Sequence, residues 1–300
     1  MNDSPSPLID VATLRTRLDD PALRIIDARF DLSDAEAGRR AYAQSRIPGA
    51  HYAHLDDDLS DHSRPASDGR HPLPAAERFA ATLARWGITP ATPVVVYDGG
   101  SGAMAAARAW WLLRWMGHDD VRLLDGGWAA WTAAAAPVDT TPMDAAQHAA
   151  GEMPAHASPV APGRSDSPSP WRPGSAPLAR VHDVAEPASG TVLIDARAPE
   201  RFRGEVEPLD PKAGHIPGAR NRPFAKNLAD GRFKPSALLR EEWAALLPVG
   251  MTPILYCGSG VTACHNALAL VHAGHPMPTL FAPSWSGWVS DPSRPVATGD

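Results

Sequence analysis

Three short apolar runs, at residues 94–97, 121–124 and 254–256, show no alternation of polar and apolar positions. Runs of that length and character are the mark of strands buried on both faces of a sheet. Longer stretches with helical spacing lie between them, at 75–86 and 103–116. Cys264, Ala267, Leu268 and Val271 fall at i, i+3, i+4 and i+7, one face of a helix. Strands alternating with helices predict α/β architecture around central, mostly parallel sheets.

The pattern occurs twice. Ile25-Ile26-Asp27-Ala28-Arg29 returns as Leu193-Ile194-Asp195-Ala196-Arg197, and Ile47-Pro48-Gly49-Ala50 as Ile216-Pro217-Gly218-Ala219. Val94-Val95-Val96-Tyr97-Asp98-Gly99 is answered by Pro253-Ile254-Leu255-Tyr256-Cys257-Gly258, and Trp128 and Trp131 by Trp285 and Trp288. Four matches in one order and at nearly constant spacing predict a duplicated domain. Between the copies, residues 137–177 are rich in Pro, Ala, Ser and Gly and have no sustained apolar period. Such a segment buries too little apolar surface to offset its ordering entropy. The expected organisation is a first domain at 1–136, a linker at 137–177 in contact with the domains through Met153 and Trp171, and a second domain at 178–300.

Composition narrows the function classes. The 300 residues hold 28 Lys+Arg against 34 Asp+Glu, a net charge of −6, with no basic run. That balance argues against a nucleic-acid partner and against electrostatic docking on a membrane. No apolar stretch approaches the roughly 20 residues of a membrane span. Residues 1–10 lack the cationic start and apolar stretch of a signal peptide, and only two cysteines are present. The cytoplasm is the expected compartment.

The candidate chemistry sits where the strand at 254–256 runs into Cys257-Gly258-Ser259-Gly260-Val261-Thr262 and then into a helix. In α/β sheets ligands bind beyond the carboxyl ends of strands, where helices begin. Two glycines permit a tight loop whose N–H groups turn inward, and with the helix dipole these donors favour an anion. A cysteine in that field is a nucleophile candidate. A buried structural cysteine is the alternative, and it leaves the coincidence of strand, Cys, Gly loop and helix without a reason. Cys264, on the apolar helical stripe, reads as core, and its spacing from Cys257 fits no metal site. The Asp-Ala-Arg pairs, present in both copies, read as structural ion pairs. No motif implies a metal or a nucleotide cofactor.

On the Cys257–Thr262 loop, the doubled Asp-Ala-Arg and Ile-Pro-Gly, and Arg201-Phe202-Arg203-Gly204, the chain resembles the tandem-domain rhodanese-type sulfurtransferases. Within them the loop looks like that of the 3-mercaptopyruvate sulfurtransferases. The resemblance implies that only the second copy is catalytic, with Asp98 in the cysteine's position in the first. It implies that Cys257 takes sulfur from a small-molecule donor as a persulfide and passes it to a thiol, such as a thioredoxin-like protein or a low-molecular-weight thiol, or to cyanide. Asp56, His71 and Ser259 would form a relay that polarises the donor ketone and protonates the departing enolate, at a site between the domains. Which of Asp56, Asp57 and Asp58 serves is open. Arg201 would bind the donor carboxylate, beside the loop residues Gly258, Gly260, Val261 and Thr262. The family's mercaptopyruvate enzymes often carry a second arginine further on; here Glu207-Pro208-Leu209-Asp210 has none. Arg203 and Lys212 are the basic residues nearest in sequence that could stand in for it.

Three alternatives remain. The first is thiosulfate as donor, although Gly258 and Ser259 are neutral where thiosulfate enzymes of the family are typically basic. The second is a cysteine phosphatase or arsenate reductase, although the loop ends Val261-Thr262-Ala263 without the arginine that clamps phosphoryl oxygens. The third is a non-enzymatic binding module, against which the intact Cys257 argues.

Overall fold

The apolar runs form the centres of two parallel sheets. In a computed structural model describing residues 6–143 and 169–300, five strands make the first: β1 (Leu8–Ile9), β2 (Arg24–Asp27), β3 (Ala50–Tyr52), β4 (Val94–Tyr97) and β5 (Val121–Leu124). Their order is β1-β5-β4-β2-β3, all parallel, with Ile26 in register with Val96 and Val96 with Leu123. All four residues of β4 are buried, as expected of a strand covered on both faces. The connections carry helices α1 (Val11–Arg15), α2 (Ala37–Gln44), α3 (Ala76–Arg85), α4 (Ala105–Trp115) and α5 (Gly127–Ala133). The side chain of Asp10 caps α1 by accepting the N–H of Thr13 at 2.7 Å. The stretches expected at 75–86 and 103–116 appear as α3 and α4, and α4 is buried along nearly its whole length, with Trp110 and Trp111 in the core.

The second half repeats the plan. Its helices are α6 (Val181–Ala185), α7 (Pro199–Phe202), α8 (Ser236–Ala244), α9 (Thr262–His272) and α10 (Ser284–Val289). Its strands are β6 (Thr191–Asp195), β7 (Arg220–Asn221), a small antiparallel ribbon of β8 (Leu228–Ala229) and β9 (Arg232–Phe233), then β10 (Thr252–Tyr256) and β11 (Thr279–Leu280). The sheet order is β11-β10-β6-β7, and Leu178 bridges in parallel to Leu280 where β1 pairs with β5 in the first half.

The Asp-Ala-Arg repeats lie at the same place in both sheets. Arg29 grips both carboxylate oxygens of Asp27, at 2.6–2.9 Å, beneath the ring of Trp128. Arg197 grips Asp195, at 2.7–3.1 Å, beneath Trp285. All four charged residues are buried. Removing either partner would strand a charge in the core, so these pairs are structural, as the sequence predicts.

The compact units do not follow the sequence halves. One comprises residues 6–59, 74–143 and 169–175; the other comprises 60–73 and 176–300. Of the described residues of the expected linker, 137–143 and 169–175 are held by the first unit, whereas the Pro177 carbonyl accepts the N–H of Leu280 at 3.0 Å in the second. Arg46 pairs with Asp139 at 2.8 Å, and Trp131 Nε1 donates to the Pro137 carbonyl at 2.8 Å. Arg172 N–H donates to the Met116 carbonyl at 2.9 Å, and Trp171 is buried and stacks on His118. Met153 lies outside the described residues. Among the described residues, no helix is long and apolar enough to cross a membrane.

Candidate functional site

The chain leaves β10 at Tyr256 and turns through Cys257–Val261 into α9. Gly260 makes the turn at φ +79°, and a β-carbon there would lie 2.4 Å from the carbonyl oxygen of Ala282. Only glycine fits on both counts. The segment entering α10 clamps the loop from one side. Cys257 N–H donates to Ser284 Oγ at 3.1 Å, and the carbonyls of Cys257 and Gly258 each accept an N–H, from Trp285 and Ser286, at 2.9 Å. Cys257, Ser259 and Val261 are buried, Gly258 and Gly260 lie in the same buried turn, and Thr262 opens α9. Both thiols are free of disulfide. The Cys264 Sγ donates back to the Gly260 carbonyl at 3.3 Å from a fully buried position, a core role as expected.

The first half supplies an internal control for what this turn binds. Asp98 stands in the equivalent position: the Asp98 and Gly99 carbonyls accept from Trp128 and Ala129, as those of Cys257 and Gly258 do from Trp285 and Ser286. Its own carboxylate fills the turn. Oδ1 accepts the N–H groups of Gly100 and Gly102 at 3.0 and 2.9 Å, and Oδ2 that of Met104 at 3.4 Å. Burial pushes the Asp98 carboxyl up, while these three N–H bonds oppose the shift. A turn of this shape therefore offers its backbone donors to the side chain at its head, and in the second half that side chain is a cysteine.

Two sequence-predicted residues meet directly. His71 Nδ1 and Ser259 Oγ are 2.8 Å apart, both side chains buried. His71 comes from residues 60–73, which belong to the same unit as the Cys257 loop. Asp56 belongs to the other unit, where its N–H and that of Asp57 point to His54 Nδ1 at 3.3 Å. Asp57 pairs with Arg39, and Asp58 with Arg85 and the His54 N–H.

Arg201, on α7, reaches the loop. A β-carbon on Gly258 would lie 3.5 and 3.6 Å from its Nη1 and Nη2. Glu207 grips this guanidinium through Nε at 3.2 Å and Nη2 at 2.6 Å. Neither Arg203 nor Lys212 supplies a second cation here: Arg203 is forked onto Glu205, and Lys212 Nζ donates to the Pro292 carbonyl at 2.8 Å. The second guanidinium beside Gly258 is that of Arg70, whose Nη2 would stand 3.1 Å from the same β-carbon. Arg70 is anchored by its N–H on Ser286 Oγ at 3.0 Å, and its Nη1 pairs with Asp210. Asp210 Oδ2 also lies 3.5 Å from Arg201 Nη2. The sequence reading missed Arg70 and the acids that hold the two arginines. The one available signal was its place next to His71.

Comparison with known proteins agrees with this geometry. The rhodanese-like domain family matches residues 10–134 and again 181–291. A Pseudomonas aeruginosa protein named as a probable 3-mercaptopyruvate sulfurtransferase is 47% identical, over 99% of this chain and 100% of its own. A Mycobacterium tuberculosis protein named provisionally as a thiosulfate sulfurtransferase is 41% identical, over 92% of this chain and 90% of its own. The crystal structure of the 3-mercaptopyruvate sulfurtransferase of Escherichia coli superposes with a TM-score of 0.74 at 30% identity, covering 94% of this chain and 99% of that one. With the duplicated sheet, the duplicated turn and both matched ranges in accord, the chain belongs to the rhodanese-like family, as a tandem of two such domains.

Proposed function

We propose that the protein is a sulfurtransferase that takes sulfur from 3-mercaptopyruvate onto Cys257 and delivers it to a thiol. The observation that carries this reading is the paired turns. One cradles the Asp98 carboxylate with backbone N–H groups, and the other presents Cys257 at the same place. Donors arranged in that way stabilise a thiolate and the persulfide formed from it.

The chemistry proceeds in two halves. The Cys257 thiolate attacks the donor sulfur; an S–S bond forms and the donor's C–S bond breaks. The electron pair of that bond stays on carbon as the enolate of pyruvate. Ser259, hydrogen-bonded to His71, polarises the ketone and passes a proton to the enolate. An acceptor thiolate, from a low-molecular-weight thiol or a thioredoxin-like protein, then attacks the outer sulfur and releases the Cys257 thiolate. Two free cysteines suit a reducing compartment, and the cytoplasm is the compartment proposed.

Thiosulfate is the second reading, favoured by the second guanidinium at the loop. Against it, Glu207 and Asp210 already balance Arg70 and Arg201, so a doubly charged donor would bring one more unmatched charge than the singly charged 3-mercaptopyruvate does. The expected preference for 3-mercaptopyruvate in kcat/KM is about tenfold or more, or ~1.4 kcal/mol. The test is intact-protein mass spectrometry after donor treatment, with kinetics on both donors. Wild type and Cys264→Ser should gain one sulfur, and Cys257→Ser none. His71→Ala should lose most turnover with 3-mercaptopyruvate. A persulfide on Cys257→Ser would overturn the reading of the site; equal or better activity on thiosulfate would overturn the donor.

A further inference from the structure

Two guanidiniums converge on one backbone atom. Both Arg70 and Arg201 would touch a β-carbon on Gly258, the residue that follows the cysteine, and that position carries no side chain to separate them. The two acids that hold them differ in how they are fixed. Glu207 accepts from Arg201 through two nitrogens, from Arg197 Nη1 at 3.2 Å, and from the N–H groups of Leu209 and Asp210 at 3.1 and 3.2 Å. Its bonds span the helix α7, the buried Arg197 pair and its own loop, so it serves the framework. The Asp210 carboxylate faces the two arginines instead, one oxygen to each, from a side chain only 3% exposed. It spans the gap between them.

On the reading of Cys257 as the sulfur-accepting thiol, we propose that Arg70 and Arg201 together form the donor's anion subsite and that Asp210 sets its charge. Two guanidiniums against Glu207 and Asp210 make the resting subsite neutral. A singly charged donor adds one negative charge to it, and a doubly charged donor adds two, beside an Asp210 carboxylate that is itself buried. Asp210 thereby penalises a dianion more than a monoanion. It acts through the arginines and is a specificity-determining residue rather than a catalytic one. Arg70 supplies the cation that the Glu207–Asp210 stretch lacks, carried in from a segment far away in sequence but within the same compact unit. This also accounts for neutral residues at Gly258 and Ser259. The positive charge beside the thiol comes from side chains outside the loop, and a side chain at Gly258 would displace them.

The test uses the full-length chain and three variants: Asp210→Asn, Arg70→Gln and the double variant. Asp210→Asn should raise the ratio of kcat/KM for thiosulfate over 3-mercaptopyruvate about tenfold, the effect of roughly 1.4 kcal/mol for one extra charge. Arg70→Gln should raise KM for both donors severalfold with a smaller change in kcat, and the double variant should lose the shift in ratio. A readout independent of turnover is the rate at which Cys257 is alkylated by iodoacetate relative to neutral iodoacetamide, located by peptide mass spectrometry. That ratio should rise in Asp210→Asn and fall in Arg70→Gln. If Asp210→Asn does not fold, Arg70→Lys carries the test, because it should restore the alkylation ratio that Arg70→Gln loses. A donor ratio within twofold of wild type in folded Asp210→Asn, or an unchanged KM and alkylation ratio in Arg70→Gln, would overturn the proposal. A wild-type enzyme that takes sulfur from neither donor would instead overturn the sulfurtransferase reading, and the alkylation ratios would still decide whether the subsite exists.

Discussion

The Cys257 turn has two glycines that the structure uses for different reasons, and substituting each with alanine separates them. At Gly260 the backbone is left-handed, φ +79°, and the new β-carbon would lie 2.4 Å from the Ala282 carbonyl oxygen, with the Ala282 carbonyl carbon and Cα at 3.3 and 3.4 Å. The left-handed conformation costs an alanine about 1–2 kcal/mol. Forcing backbone apart at a buried contact adds about 1–3 kcal/mol. The sum, about 2–5 kcal/mol, is a large fraction of the roughly 5–15 kcal/mol that holds a domain folded. In a unit of this size it corresponds to a fall in Tm on the order of 10 °C. The displaced Ala282 leads directly to Ser284, which fixes Cys257, so activity should fall with stability. At Gly258 φ is not left-handed and the β-carbon would meet only guanidinium ends, at 3.1–3.6 Å. Gly258→Ala should keep its stability within about 1 kcal/mol of wild type and lose donor affinity instead. Thermal unfolding, combined with hydrogen exchange of the α9 amides to single out the unit that carries the turn, makes the measurement. A Gly260→Ala protein as stable as wild type, or a Gly258→Ala protein less stable than Gly260→Ala, would refute this account of the turn.

Two further outcomes follow from the first unit. Asp98→Ala leaves three N–H groups of its turn without their acceptor, and should cost about 2–4 kcal/mol of stability while the folded fraction retains most of its activity; complete loss of turnover in folded Asp98→Ala would contradict a purely structural role. His51, in β3, has its pKa pushed down to about 4 from 6.5 by burial, and then by the charges of Arg24 and Arg85. The unfolded chain therefore binds a proton below pH 6.5 that the folded chain refuses until about pH 4. Stability should fall across that window, by up to about 3 kcal/mol, and level off below it. His51→Gln should flatten the slope, and denaturant midpoints at the two ends of the window will show whether it does.

Much of this molecule was legible in the chain because the signals are contiguous. A run such as Val94–Tyr97 is apolar at every position, and only a strand covered on both faces hides all of it. The duplicated Asp-Ala-Arg, the paired tryptophans and the Asp98–Cys257 correspondence are copies of one local design, so comparing the halves reveals them without coordinates. The turn at Cys257 is likewise local, since strand, cysteine, two glycines and helix follow one another directly. The His71–Ser259 contact came from family likeness rather than from spacing. What only the tertiary structure decided is the charge around that turn. The sequence pointed to Arg203 and Lys212 as stand-ins for a missing arginine, because they are near in the chain. Both are committed elsewhere, and the second guanidinium beside Gly258 is that of Arg70. It also decided that residues 60–73 belong with the second sheet, and that residues 137–143 and 169–175 of the expected linker belong with the first. The physical reason is common to these cases. Periodicity and turn chemistry are set by neighbours within a few residues, whereas an ion pair such as Arg70–Asp210 depends on where two distant loops are carried, and no pattern along the chain encodes that distance.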